Sequence, residues 1–323
     1  MRRPKISSIV RAAWNIYRTN FKSYYSLALI GSFWMIIPIY GWAKYTTMMG
    51  LLARLAYGEL VGNPESVVEA KRNIKPKMWS FLNLGWKVNW HLWIVLLFLS
   101  LRNIAIFMAI GCILILISIV VKTFFLSPII GILLLFIILI VLYVYYYLFA
   151  SKLHLYELPL VVETDISARR SIDFSEQLVE NENYSFLILV IISVFTVVFA
   201  IFMFCVGIVV NPLAEKIYDL IANSIFFITN LPVGAIFLLC LWFINSIYLY
   251  STWLALVFVP FPTSIFFLSQ PMISSGDKSY IFFILYPFIS ALFIPLWQSI
   301  KAVIYYRLKL RNYYRDLISD ISS

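Results

Sequence analysis

The chain has 323 residues, of which 63% are hydrophobic and only 12% are charged, and its net charge at neutral pH is +10. Its mean hydropathy is +0.91, whereas soluble proteins have about a quarter of their residues charged. These values exclude an ordinary soluble protein and predict a single, all-α, polytopic membrane domain.

The N-terminal segment 1–22 carries six basic side chains and no acidic one. Apolar residues recur in it at helical spacing, at Ile6, Ile9, Val10, Ala13, Trp14, Tyr17 and Phe21. This pattern predicts a basic amphipathic helix that lies in the headgroup region of a membrane, not a signal peptide. Arg11, Arg18 and Lys22 are candidate contacts for anionic lipid.

Residues 24–57 are expected to form a membrane hairpin, because Pro38 and Gly41 supply a break between two apolar limbs. Lys44 and Arg54 lie in the second limb, so one long tilted helix remains the alternative. In the hairpin reading, residues 58–90 form a basic cytoplasmic loop with an interfacial helix at about 64–88.

The helix pair 91–150 contains the most apolar run of the chain, 104–150, in which Lys122 is the only charged residue. About 20 apolar residues cross a hydrocarbon core of about 30 Å, so this run predicts two spanning helices. Arg102 precedes the run beside Asn103. It is expected either to reach the headgroups or to form a buried pair.

The segment 151–183 is an amphipathic loop with an interfacial helix expected at 164–182. One face of that helix carries Ala168, Ile172, Ser175 and Val179. Glu163 or Asp165 is placed near its N-terminus, where a carboxylate is favourable. An alternative is a docking surface for a lipid headgroup or a partner, with Arg170 and Ser171 as anion donors.

The C-terminal helices are placed at 184–300. A span is predicted at about 186–210 and a last helix at about 281–300. Between them, 233–270 forms one crossing, two short crossings or a re-entrant element. A basic cytoplasmic tail is expected at 301–323.

Sidedness follows from the Lys and Arg counts of the connecting segments. Segment 44–90 has seven basic and three acidic residues, and segment 301–323 has five basic and two acidic residues. Together with 1–22, these segments are placed in the cytoplasm by the positive-inside rule. Both termini are then cytoplasmic, and the number of crossings is even, six to eight in this interpretation.

Signatures of catalysis are absent from the sequence. The three cysteines form no C-x-x-C pair, the two histidines lie far apart, and no Walker, G-x-S-x-G or H-E-x-x-H motif occurs. No metal site, no cofactor and no nucleic acid partner is therefore expected. The positive charge is explained by membrane topology.

Three groups of residues resemble a known family. They are Val-Val-Glu at 161–163 with Ser-Ala-Arg-Arg-Ser-Ile at 167–172, Ala-Val-Ile-Tyr-Tyr-Arg-Leu at 302–308, and the first-loop stretches 58–60, 63–66 and 77–81. Together they resemble the membrane-domain family of glycerophosphoryl diester phosphodiesterases, in its uncharacterised form from photosynthetic bacteria. Ser167, Ile172 and Arg307 stand where that family tends to have Ala, Trp and Asp.

The resemblance implies a stand-alone membrane domain without the catalytic barrel, in a bacterial inner membrane or a thylakoid membrane. The leading functional expectation is a non-enzymatic scaffold or lipid-interacting assembly factor. Its partners are membrane lipids with anionic headgroups, itself or other membrane proteins. A transporter is the alternative, because Pro residues concentrate in the C-terminal half and Asn211, Asn245 and Gln298 are polar residues in apolar surroundings. An intramembrane lipid enzyme ranks third.

Overall fold

The computed structural model describes residues 5–35, 39–88, 155–163, 166–181 and 279–322, with isolated positions at 37, 90, 94 and between 184 and 202. Almost all of these residues are α-helical, and no β-strand occurs among them. The all-α expectation is therefore confirmed. The helix pair 91–150, with Arg102, and the segment 233–270 lie outside the described residues.

The described helices follow one another along the chain as α1 (Ile6–Thr19), α2 (Phe21–Trp34), α3 (Tyr40–Val61), α4 (Val67–Ile74), α5 (Glu157–Val162), α6 (Ala168–Asn181) and α7 (Ser279–Ser322). A 3₁₀ turn, Lys75–Lys77, continues α4 into a helical stretch at 78–88. By length and composition, Pro287–Tyr314 of α7 could cross a membrane, and it is the only such stretch in the described part of the chain.

Helices α2 and α3 form a hairpin with antiparallel packing. The Asn20 side chain donates to Glu59 Oε1 at 3.3 Å at one end, and Gly31 lies against Met48 and Met49 further along. Helix α2 has 14 residues, so at about 1.5 Å per residue it spans only about 21 Å, less than a hydrocarbon core of about 30 Å. Helix α2 by itself is therefore shorter than the hydrocarbon core.

Helix α3 packs closely against its neighbours at Gly50, which has no side chain. A Cβ atom on Gly50 would lie 2.7 Å from the ring of Phe81 and 3.2 Å from Val161 Cγ2. Helix α3, the 78–88 stretch and α5 can therefore meet at this position. The first loop is held against the helical core by this contact.

Helix α7 is the centre of the described core and contacts α1, α2 and α3. It is 44 residues long and contains Pro287 and Pro295. The helix does not end where the sequence analysis places the start of a cytoplasmic tail. Residues 301–305 are buried and continue the helix, because Ala, Val, Ile and Tyr extend its apolar periodicity into the contact with α3.

Candidate functional site

One face of the N-terminal helix α1 packs on α7. Ile9 and Ala13 are fully buried and Tyr17 is nearly so, and these residues recur at a spacing of four that aligns them on one face. Arg307 of α7 donates to Ser8 Oγ at 2.8 Å. The expectation that the whole apolar face of α1 rests on a membrane is therefore corrected, since these three residues belong to the protein core.

A second face of α1 is apolar and exposed. Ile6, Val10 and Trp14 have 38%, 40% and 48% of their surface exposed, and Phe21 at the start of α2 has 43%. Scattered exposed apolar residues are ordinary, but Ile6, Val10 and Trp14 recur every four residues along α1 and form an apolar stripe, which Phe21 of α2 follows. This stripe is the part of the expected membrane-facing surface that is exposed in the structure.

The basic candidates lie beside that apolar stripe. Arg11, Arg18 and Lys22 are all exposed. Arg11 and Arg18, seven residues apart, lie on one side of α1, and Lys22 is the second residue of α2. Helix α1 and the first residues of α2 contain no acidic side chain, and Asn20 between the two helices binds Glu59 of α3.

An apolar groove of about 360 Å³ lies between the end of α1 and α7. Its walls are formed by Trp14, Tyr17 and Phe21 on one side and by Phe202, Leu292, Phe293 and Leu296 on the other. Arg18 is the charged residue in its lining. The groove therefore combines aromatic and aliphatic walls with one cation.

A cluster of charged residues, here named the polar junction, joins the first loop, the mid-chain loop and α7. It consists of Arg54, Glu65, Lys77, Glu157, Glu163, Lys301 and Lys309. Arg54 is its best-connected member. Its guanidinium donates to both Glu65 oxygens at 2.6 and 2.7 Å and to the Val161 carbonyl at 2.6 Å, and such bidentate pairing requires Arg rather than Lys.

Lys77 completes the C-terminal end of α5. Its ammonium donates to the Leu160 carbonyl at 2.9 Å and to the Glu163 carbonyl at 2.7 Å. The last carbonyls of a helix have no partner within the helix and carry partial negative charge. Arg54 and Lys77 together satisfy these carbonyls, and so two cations of the first loop region fix the mid-chain loop.

The Glu163 side chain binds α7 rather than the N-terminus of α6; Asp165, the other carboxylate expected there, lies outside the described residues. The Glu163 carboxylate accepts hydrogen bonds from Lys309 and, at 3.5 Å, from the Tyr305 hydroxyl, both on α7. Ser167 takes the capping position, because its Oγ accepts from the Arg170 backbone N–H at 3.4 Å. Glu163 therefore ties the mid-chain loop to α7.

The buried part of the polar junction is an ion pair between Glu157 and Lys301. Lys301 Nζ lies 2.9 Å from Glu157 Oε2, and the Lys301 and Glu157 side chains are only 2% and 5% exposed, respectively. The Tyr156 hydroxyl donates to the other carboxylate oxygen at 3.3 Å. Burial raises the pKa of Tyr156 well above its usual value, so this hydroxyl keeps its proton and remains a donor.

The proposed docking pair of α6 is separated by the fold. Arg170 is exposed, but Ser171 is fully buried and donates its hydroxyl to the Tyr156 carbonyl. Ser171 therefore stabilises the mid-chain loop and does not share a surface with Arg170. The amphipathic face itself agrees with the sequence pattern, since Ala168, Ser175 and Val179 are buried.

The sequence analysis missed Glu157 and Lys301 as partners. Glu157 is an acidic residue in the apolar stretch from Leu155 to Val162. Lys301 comes directly after an apolar helical turn, at a position whose spacing predicts a core residue. Each was visible as a charge on an otherwise buried helical face. Their separation of 144 residues leaves no local signal that joins them.

The chain matches no family model, no curated protein and no solved structure. The resemblance described above therefore depends on its three groups of residues.

Proposed function

We propose that this chain is a non-enzymatic integral membrane protein of six to eight spans that binds anionic lipid through α1 and acts as a scaffold or assembly factor. The observation that carries this proposal is the surface of α1, where an exposed apolar stripe runs beside exposed Arg11, Arg18 and Lys22. Apolar burial together with attraction to anionic headgroups is how interfacial helices bind membranes.

Contacts between distant segments support cytoplasmic termini. The polar junction brings together the first loop, the mid-chain loop and residues 301–309, and Arg307 binds Ser8 of α1. The basic segments of this group are those that the positive-inside rule assigns to the cytoplasm. A bacterial plasma membrane or a thylakoid membrane is the proposed location.

The same contacts support the proposed family. Residues 161–163, 302–308 and 63–66, which carry the resemblance to the membrane domain of glycerophosphoryl diester phosphodiesterases, meet in or beside the polar junction. In this proposal they hold the loops against α7. The chemistry of the separate catalytic barrel is not part of the proposed function.

The proposal is tested by replacing the three exposed cations, in the full chain, with Arg11→Gln, Arg18→Gln and Lys22→Gln. Each basic residue near an anionic surface contributes about 1 kcal/mol, and 1.4 kcal/mol is about tenfold in an equilibrium. Protein extracted in copolymer nanodiscs should therefore show a roughly tenfold or larger fall in the local ratio of anionic to neutral lipid. Mass spectrometry of the extracted lipid measures this ratio.

A matched control removes three exposed cations elsewhere, with Lys71→Gln, Arg72→Gln and Lys75→Gln. This control should retain most of the anionic lipid. An equal fall in both variants, or no enrichment around the unmodified protein, would contradict binding through α1.

A transporter is the second candidate, and Gln298 favours it. Gln298 is fully buried on α7, and neither of its amide atoms has a hydrogen-bond partner among the residues that the structure describes, whereas buried polar groups are normally paired. A polar path through the protein would supply water or a solute to this amide. Gln298→Cys, in a chain lacking Cys112, Cys205 and Cys240, should then react with a small hydrophilic thiosulfonate.

The scaffold proposal predicts the opposite result for that variant. A side chain enclosed by packed helices should stay unmodified for as long as the protein stays folded. The exposed position Asn15, changed to Cys in the same background, shows that the reagent is active. Complete modification of the cysteine at 298 in folded protein would replace the scaffold proposal by the transporter.

A further inference from the structure

We infer that the groove between α1 and α7 binds one acyl chain of an anionic phospholipid, with the phosphate-bearing headgroup at Arg18. This inference rests on the proposed membrane location of α1 and names the ligand of that surface. The groove volume of about 360 Å³ falls within the range of about 300–1,000 Å³ that is typical of ligand pockets.

The chemistry of the lining indicates an amphipathic anion. Trp14 and Phe21 line the groove together with Leu292 and Leu296, and Arg18 is the charged residue at this almost wholly apolar lining. A free inorganic anion would leave the apolar walls unfilled. A phosphate accepts hydrogen bonds from a guanidinium in a fork geometry. The choline ammonium offsets the phosphate charge in phosphatidylcholine, whereas phosphatidylglycerol keeps its net negative charge.

Charge is expected to decide the selectivity of the groove. An acyl chain in a bilayer is already surrounded by hydrocarbon, so moving it into an apolar groove gains little from the hydrophobic effect. The headgroup, in contrast, exchanges water for Arg18, with Arg11 on the same side of α1 and the exposed Lys22 at the start of α2. The groove should therefore prefer phosphatidylglycerol to phosphatidylcholine of the same chain length.

The test uses the full chain in nanodiscs of phosphatidylcholine that contain a small fraction of lipid with brominated acyl chains. Bromine quenches tryptophan on contact, and Trp14 lines the groove. The chain has 10 tryptophans, so the Trp14 signal is taken as the difference between the protein and its Trp14→Phe variant. We expect brominated phosphatidylglycerol to quench this signal several-fold more than brominated phosphatidylcholine.

Two variants distinguish lipid binding in the groove from general contact of Trp14 with the bilayer. Arg18→Gln should abolish the preference for phosphatidylglycerol, and Leu292→Phe, which narrows the groove at a position already 36% exposed, should reduce quenching by both lipids. Lys71→Gln is the matched charge control and should leave the preference intact. Elution of each variant as a single size-exclusion peak shows that it is folded.

Each other result overturns the inference. Equal quenching by the two lipids shows that Trp14 merely faces the bilayer. A preference that survives both Arg18→Gln and Leu292→Phe assigns the lipid to the surface of α1, so the proposed function stands and the groove site fails. Absence of quenching in a protein that forms dimers shows that a second copy covers the groove. Absence of both quenching and anionic-lipid enrichment contradicts the proposed function as well.

Discussion

Replacing Glu157 by Gln is expected to lower the free energy of unfolding by about 3–5 kcal/mol, because it leaves the buried Lys301 ammonium without its counter-charge. The two side chains are 5% and 2% exposed, so water cannot reach the remaining cation without a change in packing. The loss is measured by titrating detergent-solubilised protein with sodium dodecyl sulfate and following far-UV circular dichroism.

A matched control removes the other glutamate that binds α7. In the pair of Glu163 and Lys309 the side chains are 35% and 39% exposed, so Glu163→Gln should cost no more than about 1 kcal/mol. The double variant Glu157→Leu with Lys301→Met should recover most of the lost stability, since well-packed apolar pairs replace buried ion pairs at little cost. Equal losses for Glu157→Gln and Glu163→Gln would contradict the burial argument.

Gly41→Ala is expected to have the second-largest effect, and it tests the turn between α2 and α3. A Cβ atom at this position would lie 1.9 Å from the Trp34 carbonyl oxygen and 2.9 Å from Ile37 Cβ. Overpacking usually costs about 1–3 kcal/mol. The loss should exceed this range here, because the obstructing atom belongs to the backbone and cannot be moved by a rotamer change. Thermal unfolding followed by size-exclusion chromatography measures the loss.

Gly62→Ala provides the comparison for that substitution. Gly62 has a positive φ of 77° and open space around the position of a Cβ atom. Alanine at this position should lower the free energy of unfolding only by the cost of the left-handed backbone conformation, about 1–2 kcal/mol. If Gly41→Ala is no more destabilising than Gly62→Ala, the close approach of α2 and α3 at the turn does not occur in the protein.

The polar junction connects these stability arguments to the proposed function. Glu157 and Glu163 bind Lys301 and Lys309 of α7, and Lys77 binds the backbone carbonyls of Leu160 and Glu163. Because α1 also packs on α7, the junction and the proposed lipid-binding surface of α1 are both supported by α7. Loss of the buried ion pair should therefore weaken anionic-lipid enrichment only through loss of folded protein.

The amino-acid sequence alone was sufficient for the helical class and for several elements. The spacing of apolar residues in 6–21 predicts α1, and the charged and apolar faces of 168–181 predict α6, because helical periodicity is a local property. The break near Gly41 is also local, since Pro38 and Gly41 disfavour a continuous helix. Arg11 and Arg18 lie on one side of α1 for the same reason, whereas Lys22 belongs to α2.

Only the tertiary structure decided which apolar residues of α1 face the protein. Ile9, Ala13 and Tyr17 pack on α7, while Val10 and Trp14 remain exposed. A protein core and a lipid bilayer both favour apolar side chains, so the pattern cannot distinguish the two environments.

The ion pairs of the polar junction depended on the fold in the same way. Glu157 and Lys301 are 144 residues apart, and Glu163 and Lys309 are 146 apart. Local periodicity reports which residues share a face of one helix, but it carries no information about which helix lies opposite. The burial of Lys301, its partner Glu157 and the separation of Ser171 from Arg170 therefore follow from the packing of α5 and α6 with α7.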